Sequence, residues 1–197
     1  MRDFIINKQL GIIQKYNNFD DERLEIIKYG LESIYILITK MIVILTVSYL
    51  LGLIHETLIF LLCYNFIRIP SFGLHATKSW ICLVSSLLIF IVLPVVCKMV
   101  QIPNYLKIAI GLIGLIFIIK NAPADTYKRP IINKKRRLFL KVISTMVALC
   151  MIICSLFIKD SFWANSLLVA IILQCFMISP VVYRIFKLPY NNYKKYL

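Results

Sequence analysis

The sequence predicts an all-α, polytopic membrane protein: a helix bundle of about six transmembrane segments, two of them short, preceded by an N-terminal amphipathic helix. Three observations carry this. Of 197 residues, 60% are hydrophobic and 16% charged, and the mean hydropathy of +0.83 lies far outside the usage of soluble domains. The apolar residues come in blocks, several close to the roughly 20 residues needed to cross about 30 Å of hydrocarbon. The formal net charge of +14 falls between those blocks instead of on one face, which fits membrane orientation and argues against nucleic acid as a partner. The length suits a single domain, residues 1–197.

Residues 1–17 form the first element. On a helix, Ile5, Ile6, Leu10, Ile12, Ile13 and Tyr16 project to one broad side, with Lys8 and Lys15 on the other. Such a helix either lies in the membrane interface or packs on the bundle. Residues 1–30 lack an apolar core followed by a small-residue cleavage site, so no signal peptide is expected. Asn17 to Glu25 reads as a polar turn.

Four spans are clear: Ile34 to Ile54, Trp80 to Cys97, Val142 to Ile158 and Phe162 to Tyr183. Two more, Thr57 to Ile67 and Ile108 to Ile119, are short for a full crossing. With all six crossing, both termini and the basic loop 120–141, which holds Lys128, Arg129, Lys134, Lys135, Arg136, Arg137 and Lys141, fall on one side. The positive-inside rule makes that side cytoplasmic and puts Arg68 to Ser79 there too. Lys40, near the cytoplasmic end of the first span, can snorkel. Gly111 and Gly114 permit close helix contact. The six cysteines sit mostly in apolar runs without paired CxxC spacing, and they read as reduced thiols.

Chemistry concentrates in residues 68–82, RIPSFGLHATKSWIC, where an imidazole, a thiol, cations and glycine meet at a membrane boundary. A catalytic thiol needs an imidazole, a cation or a helix N-terminus to raise its thiolate fraction. Ser79 as N-cap would put Cys82 in the first turn of the following helix, where unpaired amides point outward. On one continuous helix His75 and Cys82 would stand roughly 10 Å apart along the axis and would not meet. Pro70 and Gly73 instead predict a stop and a loop from which His75 folds back over Cys82. The residues alone leave open both a catalytic pair and a buried thiol beside an interfacial histidine. The other cysteines lie in apolar helices and read as packing.

Asp125, in NAPADTYKRP (residues 121–130), can orient His75, hold a basic part of a substrate, or simply form a turn. The basic run 134–137 suits anionic lipid. HExxH, paired CxxC, GxSxG, P-loop and GxGxxG motifs are all missing, so no metal or other cofactor is expected.

At Arg68, Gly73, His75, Ala76 and Cys82 the sequence resembles the AgrB family, membrane peptidases of Gram-positive bacteria that mature quorum-sensing peptides. The hydrophobic plan, the length and the Ala-Pro-Ala-Asp-Thr stretch followed by Pro and a basic run resemble that family as well. One departure is that the family often has paired glycines before the histidine, whereas here Phe72 precedes Gly73. The resemblance implies Cys82 as nucleophile and His75 as general base, acting on an AgrD-like precursor peptide at the cytoplasmic face of the cell membrane. Arg68, Gly73, Lys78, Ser79 and Asp125 then become supporting or substrate-binding residues. It further implies a thioester acyl-enzyme, thiolactone or lactone closure, and a homodimer. A non-enzymatic peptide transporter or scaffold is the alternative, and a lipid-modifying acyltransferase using the same thiol a third reading.

Overall fold

The computed structural model describes residues 2–16, 19–74, 79–125 and 130–193, and it is an all-α polytopic bundle. The chain divides into two compact units, Met1–Leu51 and Gly52–Leu197.

In the first unit α1 (Arg2–Tyr16) packs on α2 (Asp21–Leu50). Ile6 is buried, while Ile12 and Tyr16, expected on the same apolar side, are exposed. The acids at 20–25 do not form a turn throughout: α2 starts at Asp21, just after the Arg23–Asp20 ion pair partner at 3.4 Å. Its 30 residues span about 45 Å, longer than a hydrocarbon core of about 30 Å, so its charged N-terminal turns extend beyond the apolar stretch. The helix stops before Gly52, which takes a φ of +68°, a conformation glycine adopts without a Cβ penalty. The first span therefore ends at Leu50 and not at Ile54.

The second unit contains α3 (Ile54–Ser71), α4 (Ser79–Met99), α5 (Asn104–Asn121), α6 (Lys134–Phe157), α7 (Ser161–Ile178) and the short α8 (Pro180–Ile185). The α7 helix is central and packs on α3, α4, α5 and α6. It is mostly apolar without a single apolar face, as suits a helix with several neighbours, and small residues such as Ala164, Ser166 and Ala170 are buried along it. It ends at Ile178 because Pro180 disfavours helix at the residue before it, so the predicted span to Tyr183 breaks into α7 and α8.

Gly111 and Gly114 do permit close contact. A Cβ on Gly111 would lie 2.9 Å from Ile152 of α6, and one on Gly114 2.7 Å from Ile171 of α7, so both glycines let the α5 backbone approach its neighbours. Pro94 inside α4 cannot donate to the Phe90 carbonyl, and the Thr57 hydroxyl of α3 donates to that carbonyl instead, at 3.1 Å. Asn165 of α7 donates to the Cys97 and Val100 carbonyls at 3.0 and 2.6 Å, satisfying the end of α4.

The two segments expected to be short are whole helices of 18 residues each. By length and composition, α2, α4, α5, α6 and α7 are able to cross a membrane. The α3 helix is as long as α5 but carries His55, Glu56, Asn65 and Arg68; it packs most closely on α7 and also on α6 and α4. The basic stretch is helical from Lys134 onward, because the Asn133 side chain accepts from the Lys135 and Arg136 amides at 2.9 and 3.3 Å and caps the helix.

Candidate functional site

The α3 helix ends in a knot built by Arg68. Its guanidinium donates to three successive carbonyls, those of Phe72 at 2.7 Å, Gly73 at 3.3 Å and Leu74 at 2.6 Å. Only a planar fork with several fixed N–H groups reaches three acceptors in this way. The Gln174 side chain of α7 adds a second donor to the Phe72 carbonyl, at 2.8 Å. Phe72 itself sits at φ 58°, ψ −137°, a region that costs a non-glycine residue about 1–3 kcal/mol.

Gly73 follows at φ +115°, and a Cβ there would lie 2.6 Å from Arg68 Nη1 and 2.9 Å from the Met177 carbonyl. Glycine is thus demanded twice, by backbone conformation and by space. The Gly73 amide donates to the Ala124 carbonyl at 2.9 Å, the Ala124 amide donates back to Ser71 at 3.0 Å, and the Leu74 amide donates to Met177 at 2.9 Å. The loop after α3 is therefore stitched to the end of α5 and the end of α7.

A second layer holds Asp125. Its carboxylate is fully buried, and Oδ2 accepts the Tyr193 amide at 2.7 Å. The Tyr183 hydroxyl donates to the Asp125 carbonyl, and the Tyr190 hydroxyl to Asn121 Oδ1, each at 3.2 Å. Arg137 of α6 lies 3.5 Å above the Tyr193 ring and donates to Asn191 at 3.3 Å, a cation–π contact plus a hydrogen bond. Residues 188–193 thus form a strap across the α5–α6 connection. Burial, with Asp125 adding to it, raises the Tyr183 and Tyr190 phenols above their ordinary value of 10.0 despite opposing arginines.

Cys82 lies at the same end of the bundle, 8% exposed, on the first turn of α4. The helix begins at Ser79 itself, one residue earlier than expected, which makes Cys82 its fourth residue, still in the first turn near the positive end of the helix dipole. The Ser85 hydroxyl donates to the Cys82 carbonyl at 3.2 Å. No disulfide joins the described cysteines.

Of the predicted site residues, Arg68, Gly73 and Asp125 come together through the Gly73–Ala124 hydrogen bond. His75 and Lys78 lie outside the described residues, as does the Ser79 side chain. The described backbone leaves the helix at Phe72 and resumes it at Ser79, where Pro70 and Gly73 place the break. Sequence reasoning missed Gln174, Tyr183, Tyr193 and the pairing of Arg137. Gln174 had a signal, an amide within the apolar run 167–178, where a polar side chain needs a partner. The tyrosines of the strap had none, because their partners are far away in sequence.

A bundle of apolar helices with an arginine-tied loop and a buried thiol at one end defines a multi-pass membrane protein with a polar centre at that end of the bundle. The sequence profile described as accessory gene regulator B matches residues 6–178. The chain belongs to this AgrB family. It is 35% identical over 181 residues to a putative AgrB-like protein of Listeria monocytogenes, covering 90% of this chain and 87% of the relative. It is 33% identical over 174 residues to accessory gene regulator protein B of Staphylococcus aureus, covering 87% and 90%. A putative AgrB-like protein of Clostridium acetobutylicum is 32% identical over 170 residues, covering 86% and 81%. No solved structure matches.

Proposed function

We propose that this protein is a membrane-embedded cysteine endopeptidase that removes the C-terminal tail of an AgrD-like precursor and promotes cyclisation of the signal segment in quorum sensing. The observation that carries the reading is the position of Cys82: a buried thiol in the first turn of α4, at the end of the bundle where Arg68 fixes the loop up to Leu74, one residue before His75. Membership of the AgrB family supports it further.

In this reaction His75 takes the Cys82 thiol proton, and the thiolate attacks the carbonyl at the junction of signal and tail. His75 returns the proton to the departing amine, and the tail leaves with a free N-terminus. The acyl group remains on Cys82 as a thioester. A cysteine or serine of the precursor then attacks the thioester, closing a thiolactone or lactone and releasing the Cys82 thiol. A bound, partly dry site favours that intramolecular nucleophile over water.

The basic residues Lys134, Lys135, Arg136 and Arg137 share the Arg68 end of the bundle with Cys82, since α4 and α6 start where α3, α5 and α7 finish. By the positive-inside rule this end faces the cytoplasm, and its charge complements an acidic precursor tail. The test is cleavage of the precursor by reconstituted protein. Cys82→Ala and His75→Ala each abolish cleavage while inserting normally, and mass spectrometry of the wild type detects a precursor fragment bound to Cys82; cleavage retained by either variant overturns the reading.

A further inference from the structure

At the opposite end of the same unit, Lys107 is a buried cation, 7% exposed. It lies in the first turn of α5, and its Nζ donates to the Ser155 carbonyl in the last turn of α6 at 3.2 Å. That carbonyl accepts one of three N–H groups and brings no formal charge. A buried ammonium without a counter-charge is costly. Residues 52–197 contain three acidic side chains, Glu56, Asp125 and Asp160, and none forms an ion pair with it. Glu56 pairs with Lys98 at 2.6 Å. Asp160 caps α7, accepting from the Phe162 and Trp163 amides at 2.8 and 3.3 Å. Asp125 is at the other end, under the strap.

A cavity of about 450 Å³ opens beside Lys107, lined among others by Gln101, Asn104, Phe157, Lys159 and Ser161, with no acid in its wall. Two ammonium groups, two amides and a hydroxyl bring positive charge and several N–H and O–H donors to one wall, a set that suits a multidentate oxyanion such as phosphate. The volume lies within the range of small-ligand sites. Phe157, on the wall, is 80% exposed, which sets an apolar side chain beside the polar lining.

We propose that this cavity is a phosphate site, filled by the headgroup of an anionic phospholipid or by free phosphate, and that the bound anion supplies the counter-charge for Lys107. The proposal is independent of the peptidase reading. It is tested on the full-length protein by native mass spectrometry after exchange into phosphatidylglycerol or phosphatidylcholine, with a parallel arm following thermal stability in inorganic phosphate. Retention of phosphatidylglycerol over phosphatidylcholine, reduced at least about tenfold in Lys159→Gln and Lys107→Gln and preserved in Lys107→Arg, supports a lipid-borne phosphate; tenfold is the scale of one charge-assisted hydrogen bond. Stabilisation by inorganic phosphate with the same variant pattern, and no lipid preference, supports the free anion. Lys159 is exposed, so its variant reports even where Lys107→Gln does not fold. Binding in both arms that is absent or unchanged in Lys159→Gln, or lost equally in Lys134→Gln at the far end of α6, overturns the proposal.

Discussion

The Arg68 guanidinium donates to the Leu74 carbonyl at 2.6 Å, so the backbone immediately before His75 is fixed by a side chain from the preceding helix. A lysine keeps the charge but cannot serve three carbonyls spread over 72–74. Arg68→Lys is expected to insert and fold, to lower kcat for precursor cleavage by about two orders of magnitude through loss of alignment, and to leave KM nearly unchanged. Steady-state cleavage kinetics in proteoliposomes check this split.

Phe72 and Gly73 invert the usual expectations for glycine substitution. Gly73→Ala places a Cβ against Arg68 and the Met177 carbonyl at a φ of +115°, and it should destabilise by more than roughly 2 kcal/mol. Phe72→Gly relieves strain of about 1–3 kcal/mol against a glycine entropy cost of about 1 kcal/mol. Its midpoint of thermal unfolding should therefore hold or rise, with cleavage retained. Unfolding in detergent compares the two variants directly.

The strap makes stability fall in alkali. Burial raises the Tyr183 and Tyr190 phenols, so both are held neutral in the folded state. Their contribution is complete below the unfolded-state value of about 10 and is lost as pH rises through the higher folded values. Melting curves between pH 8 and 11 (about neutral to alkaline for a phenol) should show stability dropping above about pH 10. The double variant Tyr183→Phe, Tyr190→Phe should show a shallower drop.

Truncation after Leu188 removes the Tyr193 amide from Asp125 and the Tyr193 ring from beneath Arg137. Asp125 is joined through Ala124 to Gly73, so loosening the strap loosens the backbone up to Leu74, the residue before His75. The truncated protein should cleave precursor about tenfold more slowly, with a small change in KM, as expected for lost positioning. Asp125→Asn should fall between it and the wild type, since the amide oxygen still accepts the Tyr193 N–H. Unchanged kcat in both would show that the strap serves stability alone.

The capping of α6 gives a local check. Asn133→Ala removes the acceptor for the Lys135 and Arg136 amides in a first turn that already carries basic residues against the helix dipole. A loss of about 1 kcal/mol is expected, measurable as a lower unfolding midpoint.

Most of the helices were legible because bilayer thickness fixes apolar length, and the sequence states that length directly. The end of α3 beside Pro70 and Gly73 was legible too, because proline and glycine act on the backbone locally. Helix ends were less so: Gly52 and Pro180 cut spans that hydropathy alone would have continued. Residues 134–141 read as a loop from their charge, whereas the Asn133 cap makes them helical. The candidate site was legible where its members are close in sequence, as in 68–82. Gln174 was overlooked because an amide in an apolar run announces a need for a partner without saying which one.

By itself, then, the sequence determined that this is an all-α membrane bundle, that the chain turns after Pro70 and that Cys82 opens the next helix, since composition, period and turn chemistry are local properties. Only the tertiary structure decided that Arg68 ties three carbonyls, that Gln174 of α7 donates to the same loop while the C-terminal strap holds Asp125 next to Ala124, and that Lys107 is buried without an ion-pair partner in its own unit. Those relationships join residues far apart in the chain, and they follow from how helices with small interfaces at Gly111, Gly114 and Ala170 close around α7, which no local pattern encodes.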